Sequence, residues 1–422
     1  MNIVILNTSE RTGGAAIAAN RLMHALRKEN EHACMLVRDR QTDDPSVYSI
    51  NTSWFRKQIN RFRFVLERMI IFVLNKFDRA DLFRVSIANA GTDISRHPFV
   101  KQADIIHLHW INHNFLSLKN IEKLLKLGKP VVWTMHDMWS CTGICHHARD
   151  CNRYQHECGN CFHLNSTCRK DISHRIFRKK KKILKNSRVV FVGCSKWLAN
   201  RASSSELLPK ESVYSIPNPL DINLFKRMNR EDVRKQLRLP ADKYLLLFGA
   251  LNVTDKQKGF DYLTAGLKHL EQQFPEIYRK TELVIFGQVK SKIPSIANLP
   301  IHSMNYLTDE SKIITLYNAV DLFVTASLEE NLPNTIMEAM ACGTPCVGFN
   351  TGGIPEMIDH KINGYVAEYK SPEDLAAGIN WCLNPENSSK LPEEAMLKVK
   401  NCYAENIVAK QYIDLYIKAK AK

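Results

Sequence analysis

The chain has 422 residues, of which 45% are hydrophobic, and it carries a formal net charge of +16 at pH 7. This length exceeds one ordinary hydrophobic core and suits two domains of about 200 residues each. The composition excludes wholesale disorder and a bundle of membrane helices, while the charge favours an anionic partner: nucleic acid, an acidic membrane surface or a phosphorylated substrate.

The amino terminus, MNIVILN, has no basic region and no small-residue cleavage site, so it predicts a first β-strand and not a signal peptide. A long chain without a signal peptide is expected in a reducing cytosol, where clustered cysteines indicate metal more often than disulfides. The chain has twelve cysteines. We therefore expect a cytoplasmic protein in which a cysteine cluster is a candidate metal site.

The first strand leads into a glycine-containing loop. Residues 1–7 predict the strand, residues 8–14 a polar loop that ends in Gly13 and Gly14, and Ala15 to Arg27 a helix. This order lets a backbone approach a phosphate or a sugar closely. Glycines at a tight strand-to-helix turn are, however, often required by geometry alone.

Two basic stretches have the pattern of amphipathic helices. Trp54 to Arg84 has apolar residues at helical spacing and eight Lys or Arg against three acids, and His174 to Lys185 is a second basic run. A basic amphipathic helix can lie on an anionic bilayer. The alternative is a pair of helices that cover the first domain, with their charges in solvent.

Two predicted buried strands of the first domain end in histidines. Ala103 to Trp110 contains His109 near its end, and Pro130 to His136 is followed by Asp137. Both sets are expected at the carboxyl edge of a parallel sheet, where open α/β sheets bind ligands. A histidine in this position is more often a satisfied hydrogen-bonding residue than a catalyst.

Cysteines and histidines are densest between residues 141 and 168. Cys158 and Cys161 form a two-residue knuckle, and Cys145 with Cys151 supplies a second pair. Four thiolates suit tetrahedral Zn²⁺, which would hold together a polar loop of low apolar content. The spacing from Cys145 to Cys151 is wider than usual, so unmetallated thiols and a disulfide remain alternatives.

The domain boundary is predicted near residue 216. Tyr214 to Asp221 contains two prolines, which favours a short rigid crossing. The second domain then begins with a helix at Arg230 to Arg238 and a strand at Tyr244 to Leu251. We expect helices at Pro372 to Cys382 and Pro392 to Ala419, the last returning to the first domain.

The run from Val320 to Pro355 is the most informative part of the chain. It predicts a strand at Val320 to Ala326, a loop, a helix at Thr335 to Cys342 and a strand at Pro345 to Phe349. This is a parallel crossover unit with its loop at the ligand-binding edge.

Two carboxylates lie beside the predicted helix amino terminus in that run. Glu330 is in the loop and Glu338 is eight residues later, within the first turns of the helix. The arrangement suits a ligand with hydroxyls for the carboxylates and a phosphate for backbone N–H groups, such as a nucleotide sugar. Thr335 to Glu338 also spells a capping box, in which Glu338 only reaches back to the backbone.

The Glu-x7-Glu spacing, followed by Ala-Met-Ala, Gly-Thr-Pro and Gly-Gly-Ile-Pro-Glu, resembles the donor-binding segment of the retaining glycosyltransferases of family 4. The resemblance implies that Glu330 contacts the donor sugar and Glu338 the ribose hydroxyls. Asn334 and Thr335, at the start of the helix, are then expected to bind the substrate as well.

The segment Asp255 to Asp261 resembles the Lys-Gly-x-Asp motif of the same family. The resemblance implies that Lys258 neutralises the leaving diphosphate. Many members place an Arg shortly after the glycine of the preceding strand, which this chain lacks; Lys256 is the expected substitute. A short strand at Asn305 to Leu307 is expected to flank the base.

In the first domain the match is mainly one of layout. There the resemblance implies that Gly13 and Gly14 lie near the diphosphate and the acceptor, and that His136 touches the transferred sugar. His136, Lys258 and Glu330 are thus the predicted catalytic residues. Gly13, Gly14, Lys256, Asn334, Thr335 and Glu338 are the predicted substrate-binding residues, and Cys145, Cys151, Cys158 and Cys161 are the predicted zinc ligands.

The implied fold is α/β, with two Rossmann-like domains facing a cleft, the glycosyltransferase B architecture. Residues 1–216 form the acceptor-side domain with a Cys-rich insertion at 141–168, residues 217–400 the nucleotide-sugar domain, and residues 401–422 a helix that crosses back. The implied reaction is retaining transfer of a sugar from a nucleotide sugar to a glycan or lipid-linked glycan in surface polysaccharide biosynthesis. It needs no catalytic metal.

Two other functions remain open from the sequence. A nucleotide-sugar epimerase shares the double Rossmann layout, although it calls for more acid and base residues than these motifs supply. A basic nucleic-acid-binding or membrane-binding protein would explain the charge. There is no recognisable nucleic-acid module, so we expect the charge to serve an anionic surface at the inner face of the plasma membrane.

Overall fold

A computed structural model describes residues 1–185, 187–288, 299–305, 307 and 309–421. The chain forms two compact units, Met1–Pro219 with Val408–Lys422, and Leu220–Ile407. We call them the first unit and the second unit. They divide three residues after the predicted boundary.

In the first unit the described residues form a parallel sheet of seven strands in the order β3-β2-β1-β4-β5-β6-β7. The strands are β1 Asn2–Ser9, β2 His32–Asp39, β3 Val47–Ser49, β4 Ile105–Leu108, β5 Val131–Met135, β6 Val189–Gly193 and β7 Val213–Ser215. Val4 and Leu6 belong to one hydrophobic cluster and Ile3 and Ile5 to another. Both faces of β1 are therefore buried, which explains why these strands are nearly continuous apolar runs.

Helices cover this sheet. They are α1 Gly14–Lys28, α2 Trp54–Leu74, α3 Pro98–Gln102, α4 Leu118–Leu125, α5 Ile172–Leu184 and α6 Lys196–Ser203. The segment between β5 and α5, which contains the predicted Cys-rich insertion, has three short 3₁₀ turns in place of longer elements.

In the second unit the described residues form a parallel sheet of six strands in the order β10-β9-β8-β11-β12-β13. The strands are β8 Tyr244–Asn252, β9 Thr281–Gln288, β10 Ile301–Ser303, β11 Leu322–Thr325, β12 Cys346–Phe349 and β13 Gly364–Ala367. The helices are α7 Arg230–Leu237, α8 Phe260–Gln273, α9 Pro275–Arg279, α10 Glu310–Ala319, α11 Asn334–Ala341, α12 Ile354–Met357, α13 Pro372–Leu383, α14 Pro385–Ser388 and α15 Leu391–Cys402.

The sheet orders place a topological switch point in each unit. Successive strands run to one side from β1 and to the other side from β4, and β8 and β11 have the same relation. Ligands of open parallel sheets bind outside the carboxyl ends of the strands at such points. A ligand site is therefore expected at the loops after β1, β4, β8 and β11.

The last helix, α16 Glu405–Ala421, packs on the first unit from Val408 onward. Its side chains Tyr412 and Tyr416 are fully buried in the cluster that also contains Ile3 and Ile5. The single helix predicted for Pro392 to Ala419 is wrong. The chain breaks the helix at Tyr403 and Ala404, because both residues hydrogen-bond or pair with Leu220 there.

The helical pattern predicted for Trp54 to Arg84 is too long, because α2 ends at Leu74. Most of the other predicted elements occur with shifts of one or two residues at their ends, which is the usual uncertainty of helix and strand boundaries. The short strand expected at Asn305 to Leu307 is not found at Asn305 or Leu307, since the nearest strand, β10, ends at Ser303. Tyr306, between them, lies outside the described residues. Across the described part of the chain, no helix has the length and the apolar character needed to cross a membrane.

Candidate active site

Lys258 and Glu330 form an ion pair at the switch point of the second unit. The Lys258 ammonium donates to a Glu330 carboxylate oxygen, and the two side chains remain 34% and 18% exposed. Lys258 ends the 3₁₀ turn Lys256–Lys258 after β8, and Glu330 follows β11. Because β8 and β11 are paired parallel neighbours, both charges reach the same carboxyl edge of the sheet. Lys256, in the same turn, is exposed.

Two glycines allow this approach. Gly259 has φ +71°, and a Cβ there would lie 1.8 Å from the carbonyl oxygen of Ala326. Gly352 has φ +58°, and a Cβ there would lie 1.6 Å from the carbonyl oxygen of Glu330. Both values are far below any real contact, so only glycine fits at either position. The backbone that carries Glu330 is therefore held between two glycine loops.

Helix α11 presents its amino terminus at this edge. The helix begins at Asn334, and the preceding Pro333 provides no side-chain cap. Asn334 and Thr335, the first two helical residues, are half-buried. A helix amino terminus favours negative charge, through its N–H groups and the helix dipole, and so suits a phosphate.

The carboxylate of Glu338 is buried and points to Tyr317. Glu338 is only 7% exposed, and one of its carboxylate oxygens lies 3.1 Å from the Tyr317 hydroxyl. Burial and the neighbouring Glu338 charge raise the pKa of Tyr317 well above its usual range, so the phenol stays protonated and donates. The capping-box alternative is wrong, because Glu338 is the fifth residue of α11 and a capping box needs the third.

Tyr317 is a site residue that the sequence analysis missed. It lies near the end of α10, 21 residues before Glu338. A tyrosine among apolar residues of a helix predicts a core position and nothing more. Only the fold brings its hydroxyl to the carboxylate.

In the first unit, Gly13 and Gly14 begin α1 after the switch-point strand β1. Gly13 has φ +89°, a left-handed value that disfavours other residues, although a Cβ there would meet no atom within 4 Å. Both glycines are exposed, so their backbone is accessible. Ala16 N–H and Ile17 N–H both donate to the Gly13 carbonyl, which fixes the turn.

His136 follows β5 and lies against His109, which follows β4. The His136 Nε2 and His109 Nδ1 atoms are 2.9 Å apart, and the two rings stack at a centroid distance of 5.2 Å. Burial lowers the pKa of His136 to about 4, although Asp137 opposes the change. At neutral pH His136 is therefore an uncharged imidazole that can exchange hydrogen bonds with a sugar hydroxyl.

Asp137 is committed to other partners. Its carboxylate accepts from Trp110 Nε1 at 2.8 Å and from the Trp139 N–H at 2.8 Å, and it lies 2.7 Å from His146 Nδ1. Although burial acts to raise the pKa of Asp137, His146 and the Trp139 N–H hold it below its usual range. Asp137 thus fixes the loop after β5 and is not a free base.

The predicted zinc ligands lie in one neighbourhood of the first unit. Burial raises the pKa of Cys158 to about 11 and of Cys161 to about 12, and the nearby Cys151 contributes to the raised pKa of Cys145, Cys158 and Cys161. All are free cysteines. Within the described ranges, no group of three or more His, Cys, Asp or Glu side chains is arranged to hold a metal ion. The zinc site stays a prediction from spacing.

Family comparisons identify both units. The family model of Glycosyltransferase Family 4 matches residues 12–224, half of the chain, and that of Glycosyl transferases group 1 matches residues 229–398. The chain belongs to glycosyltransferase family 4. The predicted family is thereby confirmed, and neither the epimerase nor the nucleic-acid-binding alternative is favoured.

Two curated relatives show which glycosyltransferases this family 4 chain is similar to and how much of each sequence matches. An N,N'-diacetylbacillosaminyl-diphospho-undecaprenol alpha-1,3-N-acetylgalactosaminyltransferase of Campylobacter jejuni is 30% identical over 36% of this chain and 41% of its own length. The putative colanic acid biosynthesis glycosyl transferase WcaC of Escherichia coli K12 is 24% identical over 68% of this chain and 67% of its own. For several curated relatives, the match spans about half of their length or less, namely 43%, 41% and 54%.

A solved structure shares the fold of this family 4 chain. HepE of Anabaena, crystallised with UDP and glucose, has a TM-score of 0.63 and 16% sequence identity, and the match covers 98% of this chain and 99% of HepE. With the two parallel sheets, this confirms the predicted fold class of two Rossmann-like domains in the glycosyltransferase B architecture.

Replacing Glu330 by Gln should strengthen binding of a nucleoside diphosphate. The Lys258–Glu330 pair has to open before Lys258 can meet a diphosphate, and a neutral amide removes both the competition and the repulsion. Since a partly exposed ion pair contributes about 1 kcal/mol or less, we expect the Kd to fall by up to about 5-fold. Isothermal titration calorimetry measures it.

The matched control is Glu276→Gln, which removes the carboxylate of an exposed ion pair with Arg279 on α9, and for which we expect a Kd within about 2-fold of the wild-type value, as for other surface substitutions. Weaker diphosphate binding by Glu330→Gln than by this control would contradict the idea that Glu330 holds Lys258 in the unliganded protein.

Proposed function

We propose that this protein is a retaining glycosyltransferase that moves a sugar from a nucleotide sugar to a glycan or lipid-linked glycan, in surface polysaccharide biosynthesis. One observation carries the proposal. The second unit brings a lysine, a half-buried carboxylate, an uncapped helix amino terminus and a buried carboxylate to one switch point. These are the groups that a diphosphate, a sugar and a ribose require.

Lys258 is assigned the leaving diphosphate. As the bond between the sugar and the phosphate breaks, negative charge grows on the diphosphate, and a cation held in advance stabilises that charge. The amino terminus of α11 at Asn334 and Thr335 adds a second favourable field at the same edge. We infer that Lys256 adds further positive charge.

We assign the two carboxylates to binding the uncharged sugar and ribose of the donor. Glu330 accepts from hydroxyls of the sugar ring, and Glu338 accepts from the ribose. In the first unit, His136 is assigned the transferred sugar, and Gly13 and Gly14 the approach of diphosphate and acceptor, as the family resemblance implies. Retention then follows from entry of the acceptor hydroxyl on the face that the diphosphate leaves.

We infer that catalysis needs no metal. Lys258 and the helix amino terminus supply the positive charge that a divalent cation supplies in other phosphate sites. Transfer that persists in excess chelator supports this inference, and transfer that disappears and returns with Mg²⁺ or Mn²⁺ contradicts it.

The relatives support the class of substrate. HepE was crystallised with UDP and glucose, which supports a nucleotide-sugar donor. The Campylobacter relative is named for a diphospho-undecaprenol acceptor and WcaC for colanic acid. We therefore propose a lipid-linked glycan as the acceptor.

Lys258→Ala should lower sugar transfer by ~10²-fold or more, because it removes an interaction that strengthens in the transition state. Release of nucleoside diphosphate in the presence of acceptor, with wild-type Tm as a check of folding, measures the effect. Lys268→Ala, an exposed lysine of the following helix α8, is the control and should retain full turnover. Full turnover in a folded Lys258→Ala protein would contradict the assignment.

We further propose that α2 docks on an anionic membrane surface. Six apolar residues recur every three or four positions, so they share one face of the helix: Phe55, Ile59, Phe62, Leu66, Met69 and Val73. Phe55 is 73% exposed and Phe62 67%. The exposed basic residues Arg56 and Arg61 flank this face on its two sides, as in helices that lie in the lipid headgroup region.

The opposite face of α2 packs on the first unit and forms buried hydrogen bonds with it. Glu67 is fully buried and accepts from the N–H groups of Ile87 and Ala88 at 2.8 and 3.0 Å. Arg68, beside it, donates to the Val85 carbonyl. The apolar face is thus presented by a firmly attached helix and is not an effect of local unfolding.

The triple variant Phe55→Asp, Phe62→Asp, Met69→Asp should lose at least about 10-fold in binding to vesicles that contain phosphatidylglycerol, because apolar burial and charge attraction act together. Vesicle flotation measures it. Ile417→Asp, which changes an exposed residue of α16, is the control. Equal binding by the triple variant and the control, or tighter binding of the wild type to oligonucleotides than to vesicles, would contradict membrane docking.

We also propose a structural zinc ion at Cys145, Cys151, Cys158 and Cys161. The support is their spacing and the buried Lys180 side chain, which interacts electrostatically with Cys145 and Cys158. The Lys180 ammonium donates to the carbonyl groups of Trp139 and Thr142, and four thiolates around Zn²⁺, with a net charge of −2, would stabilise its positive charge further. The thiols would have to rotate toward one another to bind.

Metal analysis of protein purified under reducing conditions without chelator tests the site. We expect about one zinc per chain, and less than about 0.2 equivalents would rule out a structural site. The double variant Cys158→Ser, Cys161→Ser should lose the zinc, whereas Cys402→Ser, a half-buried cysteine of the second unit, should keep it.

A further inference from the structure

We propose that Tyr317 is the positioning residue that holds the Glu338 carboxylate ready for the ribose of the nucleotide. The inference rests on the proposed function, since it assigns Glu338 to the ribose, and it adds a residue outside the family motifs that were matched above. It makes the strength of ribose recognition depend on a hydroxyl that is buried in the second unit.

The contact has one chemically sensible direction. Tyr317 is fully buried, and its hydroxyl lies 3.1 Å from Glu338 Oε2. An ionised carboxylate only accepts hydrogen bonds, so the phenol must be the donor. Hydrogen bonds to charged groups are about twice as strong as those between neutral groups.

Tyr317 cannot easily follow a moving carboxylate. Its ring meets Phe286 and Phe323 edge-on, at centroid distances of 6.3 and 6.1 Å and interplanar angles of 87° and 82°. The Thr344 hydroxyl donates to the Tyr317 carbonyl at 2.6 Å. The side chain and the backbone are thus both held, and the hydroxyl is a fixed point for Glu338.

A fixed donor on Oε2 restricts how Glu338 can turn. A carboxylate has about four acceptor positions, so one bond from Tyr317 leaves capacity for a ribose hydroxyl. Without Tyr317, the buried carboxylate would lose the charge-assisted hydrogen bond that fixes one of its oxygens. The ribose would then meet a less ordered and weaker acceptor.

Nucleotides that lack one ribose hydroxyl measure this effect. The wild-type protein is titrated calorimetrically with UDP, GDP and ADP, and the nucleotide that binds is then replaced by its 2'-deoxy and 3'-deoxy forms. We expect the wild type to lose about 10-fold or more in affinity for at least one deoxy form, because a bond to a charged group is lost. In Tyr317→Phe that loss should fall below about 3-fold, since the acceptor is no longer held.

The control is Tyr365→Phe. Tyr365 is a buried tyrosine of the same unit whose hydroxyl also donates to a carboxylate, Asp374 Oδ1, at 2.8 Å. This variant should keep the wild-type loss for the deoxy nucleotides. If Tyr317→Phe also keeps it, the proposal is overturned, while nucleotide binding by the wild type still supports the transferase. If the wild type binds none of the three nucleotides, the proposed function fails as well.

A second variant covers the case in which Tyr317→Phe folds poorly. Glu338→Gln removes the charge to which Tyr317 donates, so Tyr317→Phe should lower the Tm less in the Glu338→Gln protein than in the wild type. An equal loss of Tm in both proteins would overturn the proposal, because the two side chains would then not act as a pair.

Discussion

The candidate site of the second unit depends on how closely two loops can approach the backbone at Glu330. Gly259 and Gly352 lie where a single added carbon would overlap the carbonyl groups of Ala326 and Glu330. Because both are glycine, the loop after β8 and the loop after β12 close on the loop after β11. This close approach of the loops lets Lys258 reach Glu330. The ion pair therefore depends on the absence of a side chain at Gly259 and Gly352.

In the first unit, a buried histidine links the strands near the switch point to the last helix. His107, on β4, is fully buried between the hydroxyl of Tyr416 at 2.7 Å and that of Thr134 at 2.8 Å. Burial lowers the pKa of His107 to about 3, so it is a neutral hydrogen-bonding link and not a titrating group. The last helix of the chain therefore takes part in ordering the strands that carry His109 and His136.

Much of this arrangement could be predicted from the sequence. Continuous apolar runs and the motif around Glu330 depend on neighbours in the chain, and the structure has the corresponding elements. Tyr317 could not be predicted, because its partner is 21 residues away and only the packing of α10 on α11 joins them. The break at Tyr403 was missed for the same reason, since it depends on pairing with the distant Leu220.

The central claim is that the second unit binds a nucleotide sugar through Lys258, Glu330 and Glu338. A thermal-shift screen with UDP, GDP, ADP and their common sugar conjugates, with and without chelator, tests it most directly. Ligand at ~100 times its Kd should stabilise the protein by about 2.7 kcal/mol, or a few degrees in Tm. We expect such a shift for one nucleotide class, unchanged by chelator. No shift with any nucleotide or conjugate would contradict it.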